Sequence, residues 1–324
     1  MKRPVYVSLA LLITLVFTAY SPLVQAQTRF ASIGTSGAGG TYEIMGTAMA
    51  KVIMKHQPTI KVSVEATPGG GIGNIRLLGK ESITFGIAIS DSGFSAYRGE
   101  GIFAKDKSVN IRTVLTGLEL QCHIIVLSNS GIKSVGDLKG KTVVANSSAN
   151  TLVYVPQTLE AYGLKAGDCK ISNMSTNECV EALKDGHVQA IFTFAIAPAS
   201  AFKDLALSRD VRFLSVADDK ISLMTKKYPY YKRVTIPADY YPKQKQDVVV
   251  PAVTSILYTH SKVDEQLVYD VVKALLENSA ELNEVHPAAG AFNLERQKEL
   301  LKESVIPPFH PGVTRYYKEK GMLK

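Results

Sequence analysis

Beyond residue 27 the chain lacks any apolar run long enough to cross a bilayer as a helix, a task that takes about 20 residues. A helical membrane domain is therefore excluded there. Cysteine is scarce: Cys122, Cys169 and Cys179 are the whole complement, and their spacing fits no zinc motif. The six histidines, His56, His123, His187, His260, His286 and His310, are scattered without metal-ligand spacing. There is no H-E-x-x-H and no G-x-S-x-G nucleophile elbow. Acidic neighbours such as Asp218-Asp219 read as solvated surface. No catalytic residues, no metal and no cofactor are expected, and the chain does not read as an enzyme. Dense basic runs with interleaved aromatics are also missing, which argues against nucleic acid. Nucleotide motifs fail too. The turn holding Gly34, Gly37, Gly39 and Gly40 is neither G-x-G-x-x-G nor G-x-x-x-x-G-K-[ST].

What is present begins with a targeting pattern. Lys2 and Arg3 precede an apolar run from Val5 to Ala19, and Val24-Gln25-Ala26 forms a small-residue cleavage pattern. That order predicts a secretory signal peptide over residues 1–26, cleaved near Ala26, with the mature chain starting at Gln27 in the periplasm. Taking Lys2 and Arg3 from the formal net charge of +8 leaves +6, a dispersed excess that suits an anionic solute or an acidic surface. In an oxidising compartment Cys169 and Cys179, ten residues apart, are candidates for a disulfide. Three buried, reduced thiols are the other reading.

From residue 27 one rhythm repeats: apolar strand, Gly-rich or polar turn, amphipathic helix. Phe30–Gly34, Lys61–Ala66 and Ile83–Ile89 read as strands. Helices follow at Thr41–His56, at Asn74–Gly79 and from Ser90 through Tyr97. Such alternation predicts parallel βαβ units and an α/β fold. Arg112–Ser128 and Val248–Thr259 are extended stretches well beyond the usual ~5–6 residues of a strand. One carries the chain out and the other back. They predict a discontinuous first lobe of residues 27–118 and 255–324 around a second lobe of residues 119–254. Within the second lobe, Thr142–Ala145, Lys170–Met174, Gln189–Phe194 and Arg212–Ser215 read as strands. Thr151–Tyr162 and Ser175–Asp185 read as helices there, and Asp264–Asn283 reads as a helix after the chain has returned to the first lobe. Tyr228–Pro242, rich in Pro and Tyr, reads as irregular surface.

In an open α/β sheet, ligands bind beyond the carboxyl ends of the strands. Three turns of the first lobe lie there: Thr35-Ser36-Gly37-Ala38-Gly39-Gly40, Pro68-Gly69-Gly70-Gly71-Ile72-Gly73 and Ser90-Asp91-Ser92. Each opens a helix, whose free N–H groups suit a carboxylate, and glycine lets the backbone approach a ligand. The candidate ligand-binding residues are Thr35, Ser36, Gly39, Tyr42, Gly69, Gly70, Gly71, Asn74, Ser90 and Asp91. From the second lobe come Asn146, Ser147, Asn150, Thr151 and Phe194. Alternatives stay open for several. Asp91 either caps its helix or receives a ligand amine. Asn74 either caps or donates, and Tyr42 either lines a cleft or packs.

Those same segments resemble the TAXI class of solute receptors for tripartite ATP-independent periplasmic (TRAP) transporters, across essentially the whole mature chain. The resemblance is carried by Gly34-Thr-Ser-Gly-Ala-Gly-Gly-Thr-Tyr42, by Glu65-Ala-Thr-Pro-Gly-Gly-Gly-Ile-Gly-Asn-Ile-Arg-Leu-Leu78, and by Ser90-Asp91 with Ala96-Tyr97-Arg-Gly-Glu-Gly-Ile-Phe103. The stretch Ser130–Lys141 is shared more widely among binding proteins. The closing His310-Pro-Gly-Val-Thr-Arg-Tyr-Tyr-Lys-Glu-Lys-Gly321 is the most specific element. The resemblance implies a two-lobed periplasmic-binding-protein type II fold, hinged, that captures a small anionic or zwitterionic solute, glutamate-like or 2-oxoglutarate-like, between its lobes. It further implies integral-membrane TRAP transporter subunits, driven by ion gradients, as partners of a monomeric receptor. Pro68, Gly71 and Ser92-Gly93-Phe94 depart from the family pattern in the very turns that would select the solute. Arg76 and Arg98 are not assigned as carboxylate clamps. A sensor of the same fold, or less plainly a periplasmic enzyme, is the alternative.

Overall fold

A computed structural model describes residues 27–36, 41–67, 70–106, 109–146, 150–285, 291–302 and 307–324. The expected leader, residues 1–26, lies outside them. The chain enters through β1 (Arg29–Gly34), α1 (Thr41–His56), β2 (Ile60–Glu65), α2 (Gly70–Gly79), β3 (Phe85–Ile89) and α3 (Ser90–Arg98). β1 pairs in parallel with both β2 and β3. The apolar face of α1 is Met45, Ala48, Met49, Val52 and Ile53, all buried, in the i, i+3, i+4, i+7, i+8 pattern of a helix laid on a sheet. β3 is apolar throughout because helices and strands cover both its faces.

Two strands exceed the rest. β4 (Ile111–Leu127) runs for 17 residues, and its antiparallel partner β10 (Val248–His260) for 13. Between them come β5 (Thr142–Ala145), a π-helical turn (Asn150–Tyr154), α4 (Val155–Ala161), β6 (Lys170–Asn173), α5 (Thr176–Lys184), β7 (Ala190–Ala195), α6 (Ser200–Ser208), β8 (Val211–Phe213), α7 (Asp218–Lys227) and β9 (Lys232–Ile236). After β10 follow α8 (Glu265–Glu277), α9 (Ser279–Val285), α10 (Leu294–Leu300) and α11 (Pro311–Glu319). The sheet order is β2-β1-β3-β10-β4-β7-β5-β6, with β8 joined to β4 and β9 to β10.

One buried core is built from residues between Cys122 and Val253. Two others draw on residues up to Leu118 and from Ile256 onward. β4 gives Val114, Leu115 and Leu118 to one side and Cys122, Ile124, Ile125 and Val126 to the other. β10 divides likewise between Val253 and Ile256. At that crossing the register slips: Thr254 faces Glu119 but Ile256 faces Thr116, so Gly117 and Leu118 oppose Ser255 alone. Such a bulge bends and twists the strand. The Ser255 hydroxyl donates to the Leu118 carbonyl at 3.2 Å. The buried Gln297 amide stands in for a strand neighbour, accepting from Thr116 N–H at 3.0 Å and donating to the Thr116 carbonyl at 2.9 Å.

Several expectations need correction. Tyr228–Pro242 is not irregular surface: Lys232–Ile236 forms β9 along β10, and Tyr230, Tyr231 and Tyr241 are buried. Tyrosine packs its ring and needs a partner only for its hydroxyl. Tyr231 donates to the Gln157 side chain at 2.6 Å, and Tyr241 lies 2.7 Å from Nε2 of His123. The helix expected over Asp264–Asn283 breaks at Asn278, whose amide donates to the Ala274 carbonyl. The second helix starts at Gly70, four residues earlier than predicted. Cys122, Cys169 and Cys179 are free and buried, so no Cys169–Cys179 disulfide is present. The two thiols turn to different carbonyls, Leu138 for Cys169 and Met174 for Cys179.

The closing segment is a structural lock. The N–H of His310 donates to the Thr113 carbonyl, and Thr113 reaches back to the carbonyls of Pro307 and Pro308. The His310 ring accepts from Gly312 N–H at Nδ1 and donates from Nε2 to the Val263 carbonyl at 3.0 Å, capping α11. Pro311 takes the first helical position, where its missing N–H costs nothing. Gly312 then lets α11 press onto the α8 backbone. A Cβ there would stand 2.4 Å from the Glu265 carbonyl oxygen and 2.7 Å from Tyr269 N. Backbone cannot yield as a side chain tip can, so Gly312→Ala should cost about 2 kcal/mol. Urea denaturation measures it; an unchanged midpoint contradicts the packing account.

Candidate functional site

The turns after β1, β2 and β3 are tied to one another from beneath. Thr35 is fully buried, and its hydroxyl donates to the Glu65 carbonyl at 3.0 Å, fastening β1 to β2. Asn74, also fully buried, donates to the carbonyls of Thr35 at 2.9 Å and Ile87 at 2.8 Å. It thereby fixes the first turn against the end of β3. Gly71 sits where a Cβ would be 3.0 Å from the Ala88 Cα, so α2 lies hard against β3. Gly70 has φ +54°, a left-handed conformation that glycine adopts freely. These four residues shape and hold the turns. Gly39, Gly69 and Ser147 lie outside the described residues, as do the side chains of Asn150 and Thr151.

Above this scaffold the buried Tyr42 hydroxyl has Ser255 beside it, and the hydroxyls of Ser36 and Ser90 are inaccessible to water and meet no hydrogen-bond partner among the described residues. Buried polar atoms are rarely left so. Next to Ser90 is Asp91, only 6% exposed, in the first turn of α3. It is not the helix cap: Ile89 occupies that position, and no side chain caps the helix. The Asp91 carboxylate instead accepts from the Tyr154 hydroxyl at 2.6 Å and, more weakly, from Ser92 at 3.4 Å. Tyr154 belongs to the core of residues 122–253, so this bond joins the two sides.

Tyr154 ends the π-helical turn and is almost wholly buried. Phe194 packs against it with ring centroids 4.9 Å apart, and Tyr231 lies 6.2 Å from Tyr154 and 6.0 Å from Phe194. Tyr230 completes the wall, 5.1 Å from Tyr231 and 6.2 Å from Phe94. Gln157 holds both tyrosine hydroxyls, donating to Tyr230 at 2.8 Å and accepting from Tyr231 at 2.6 Å. Asn146 is tied within its own half: it donates to Thr176 at 3.1 Å and accepts from Thr193. Sequence reasoning thus places Tyr42, Ser90, Asp91 and Phe194 in one neighbourhood but misses Tyr154, Gln157, Tyr230 and Tyr231. The missed signal was the density of tyrosine at residues 228–231, which was read as surface.

A cavity of about 270 Å³ opens between the halves, lined by Asp91, Ser92, Ser95, Phe103, Val153, Pro156, Gln157 and Tyr230 among others. No described Lys, Arg or His lines it. The nearest guanidinium groups serve elsewhere. Arg76 pairs with Asp106 and lies over Phe103, and Arg98 pairs with Glu100 and lies over Phe94. A larger hollow of about 440 Å³ lies between α4 and α7, lined by Glu160, Lys226 and Lys227, of which Lys227 pairs with Glu160. Among the described residues no group of acids, histidines or cysteines is arranged to hold a metal.

Burial governs the electrostatics. It pushes the Asp91 carboxyl up to about 6, against the pull of hydrogen bonds from Tyr154 and Ser92. Burial, and then the charge of Asp91, push the phenols of Tyr42 and Tyr154 upward, so both stay protonated donors. Tyr230 and Tyr231, raised likewise, are the other titratable groups that feel Asp91.

A mixed sheet with two long antiparallel crossing strands and a cleft at the strand ends defines the type II fold of periplasmic solute-binding proteins. Solved structures share it. The periplasmic aliphatic sulphonate binding protein SsuA of Escherichia coli matches at TM-score 0.50 and 20% identity, over 90% of this chain and 78% of its own. A Bordetella bronchiseptica RB50 protein matches at TM-score 0.53 and 16% identity, over 91% and 99%. A Xanthomonas citri protein solved bound to ATP matches at TM-score 0.53 and 11% identity, over 90% and 96%. At these identities the likeness establishes the fold alone. The chain itself belongs to the NMT1-like family, whose model matches residues 33–321.

The raised Asp91 carboxyl has a consequence for stability. Below pH 4 it is protonated in the folded and unfolded chain alike. Between pH 4 and 6 the unfolded chain ionises first, so stability falls as pH rises through that window and stays lower above it. Asp91→Asn should therefore melt higher than the wild type above pH 6, by an amount on the order of a few kcal/mol, with the gap closing below pH 4. Calorimetric melting across pH tests this; a variant less stable than the wild type at pH 7.5 contradicts it.

Proposed function

We propose that this protein is an exported, periplasmic solute-binding protein whose two lobes, residues 27–118 with 255–324 and residues 119–254, close on a small polar solute. The observation that carries the reading is the Asp91–Tyr154 hydrogen bond of 2.6 Å, which joins the start of α3 to the core of residues 122–253 beside the cavity. The bulge at Gly117, Leu118 and Ser255 supports a hinge in both crossing strands. Family membership supports transport rather than catalysis.

The solute is small and polar, anionic or zwitterionic, and the membrane partner is a TRAP-type transporter driven by an ion gradient. The transporter class rests on the resemblance of the glycine turns and of the segment His310–Gly321 to TAXI receptors. Nucleic acid has no part in it, and the receptor acts as a monomer.

Native mass spectrometry of the freshly purified protein, followed by denaturation, tests the binding reading. A small solute of one defined mass is expected to be carried and released. If no solute is carried and none of any chemical class raises the melting temperature, the reading falls. Uptake into membrane vesicles holding the membrane partner should need an ion gradient only, and a requirement for ATP would overturn the TRAP assignment.

A further inference from the structure

We propose that the feature Asp91 recognises is an ammonium group of the solute, held by its carboxylate at the wall of the cavity, so that the site takes amino acids and rejects their 2-oxo counterparts. This rests on the reading of the cleft as the solute site.

The argument starts from charge. Among the described residues Asp91 is the one charged group lining the cavity, and no cation lines it. Its oxygen acceptors are supported by neutral donors, the Tyr154 and Ser92 hydroxyls and backbone N–H groups at the start of α3. A ligand carboxylate brought to this place meets a like charge at short range in a medium of low polarity, and one of the two must take a proton. A ligand ammonium meets its complement there, strengthened by the same low polarity.

Hydrogen-bond inventory agrees. An ammonium carries three N–H donors and no acceptor. The cavity offers acceptors for them: the Asp91 carboxylate, the Ser92 and Ser95 hydroxyls and the Gln157 side chain all line it. A keto oxygen in the ammonium's place offers no donors and leaves the carboxylate facing a lone pair. The tyrosine wall adds ring faces that attract a cation and are indifferent to a ketone. Arg76 and Arg98, the groups that would otherwise clamp an acid here, are engaged with Asp106 and Glu100.

The test uses the mature protein and matched pairs in which only the α-substituent changes: glutamate with 2-oxoglutarate, alanine with pyruvate, leucine with its 2-oxo acid, and so through the common amino acids. Isothermal titration calorimetry at pH 7.5 should find at least one amino acid bound about tenfold to hundredfold tighter than its 2-oxo partner, the usual worth of a hydrogen-bonded charge. Asp91→Asn should erase that preference while the unliganded variant stays folded by circular dichroism. A 2-oxo acid bound as tightly as its amino acid overturns the inference, as does undiminished amino-acid affinity in Asp91→Asn. If mass spectrometry finds a carried solute without an amine, the inference falls and the solute-binding reading stands. If no solute is carried and neither series binds, both fall.

Discussion

A carboxylate taken almost wholly out of water, with no cation beside it, is a constraint that the surrounding structure must answer. Asp91 is held in that state at the start of α3, and the answer comes from the opposite side as the Tyr154 hydroxyl at 2.6 Å. A hydrogen bond to a charged group is worth about 1.5–3 kcal/mol. That is enough to favour contact between the halves without locking it. The tyrosines behind it, with Gln157 fixing two of their hydroxyls, keep water away from the acid and give the cleft one rigid wall.

The path of the chain makes this meeting possible. β4 and β10 are the strands that serve separate cores at their two ends, and they lie side by side through the sheet. Their bulge removes one pairing at the point of passage, and the buried Gln297 supplies the missing backbone partners for Thr116. On either side of that point Leu118 and Cys122 belong to different cores. The closing His310-Pro311-Gly312 segment lies away from the cleft and anchors α11 to α8, so its distinctiveness reflects close helix packing and not solute choice.

Much of this was legible in the residues. Strand boundaries such as Thr142–Ala145, and the long runs now seen as Ile111–Leu127 and Val248–His260, follow from apolar patterning, which is a property of neighbours in sequence. The carboxyl-end turns were legible for the same reason. What patterning cannot report is the direction of a polar side chain. Thr35 and Asn74 sit in glycine turns like ligand-binding residues, yet they are fully buried and tie one turn to the next. Tyr154, Tyr230 and Tyr231 reach Asp91 only through tertiary folding, and a Pro- and Tyr-rich stretch reads as surface until a strand edge is known to need covering. Asp91 was divided between capping and binding because both roles favour the same residue at the same place.

The central claim is that the solute is held at Asp91, between the Tyr42 side and the Tyr154 side. A crystal structure of the protein with the solute it carries tests this most directly. The account predicts density for the solute within hydrogen-bonding distance of the Asp91 carboxylate, with Tyr42 and Tyr154 on either side. Density confined to the hollow between α4 and α7, or no approach to Asp91 in a fully occupied complex, would contradict it.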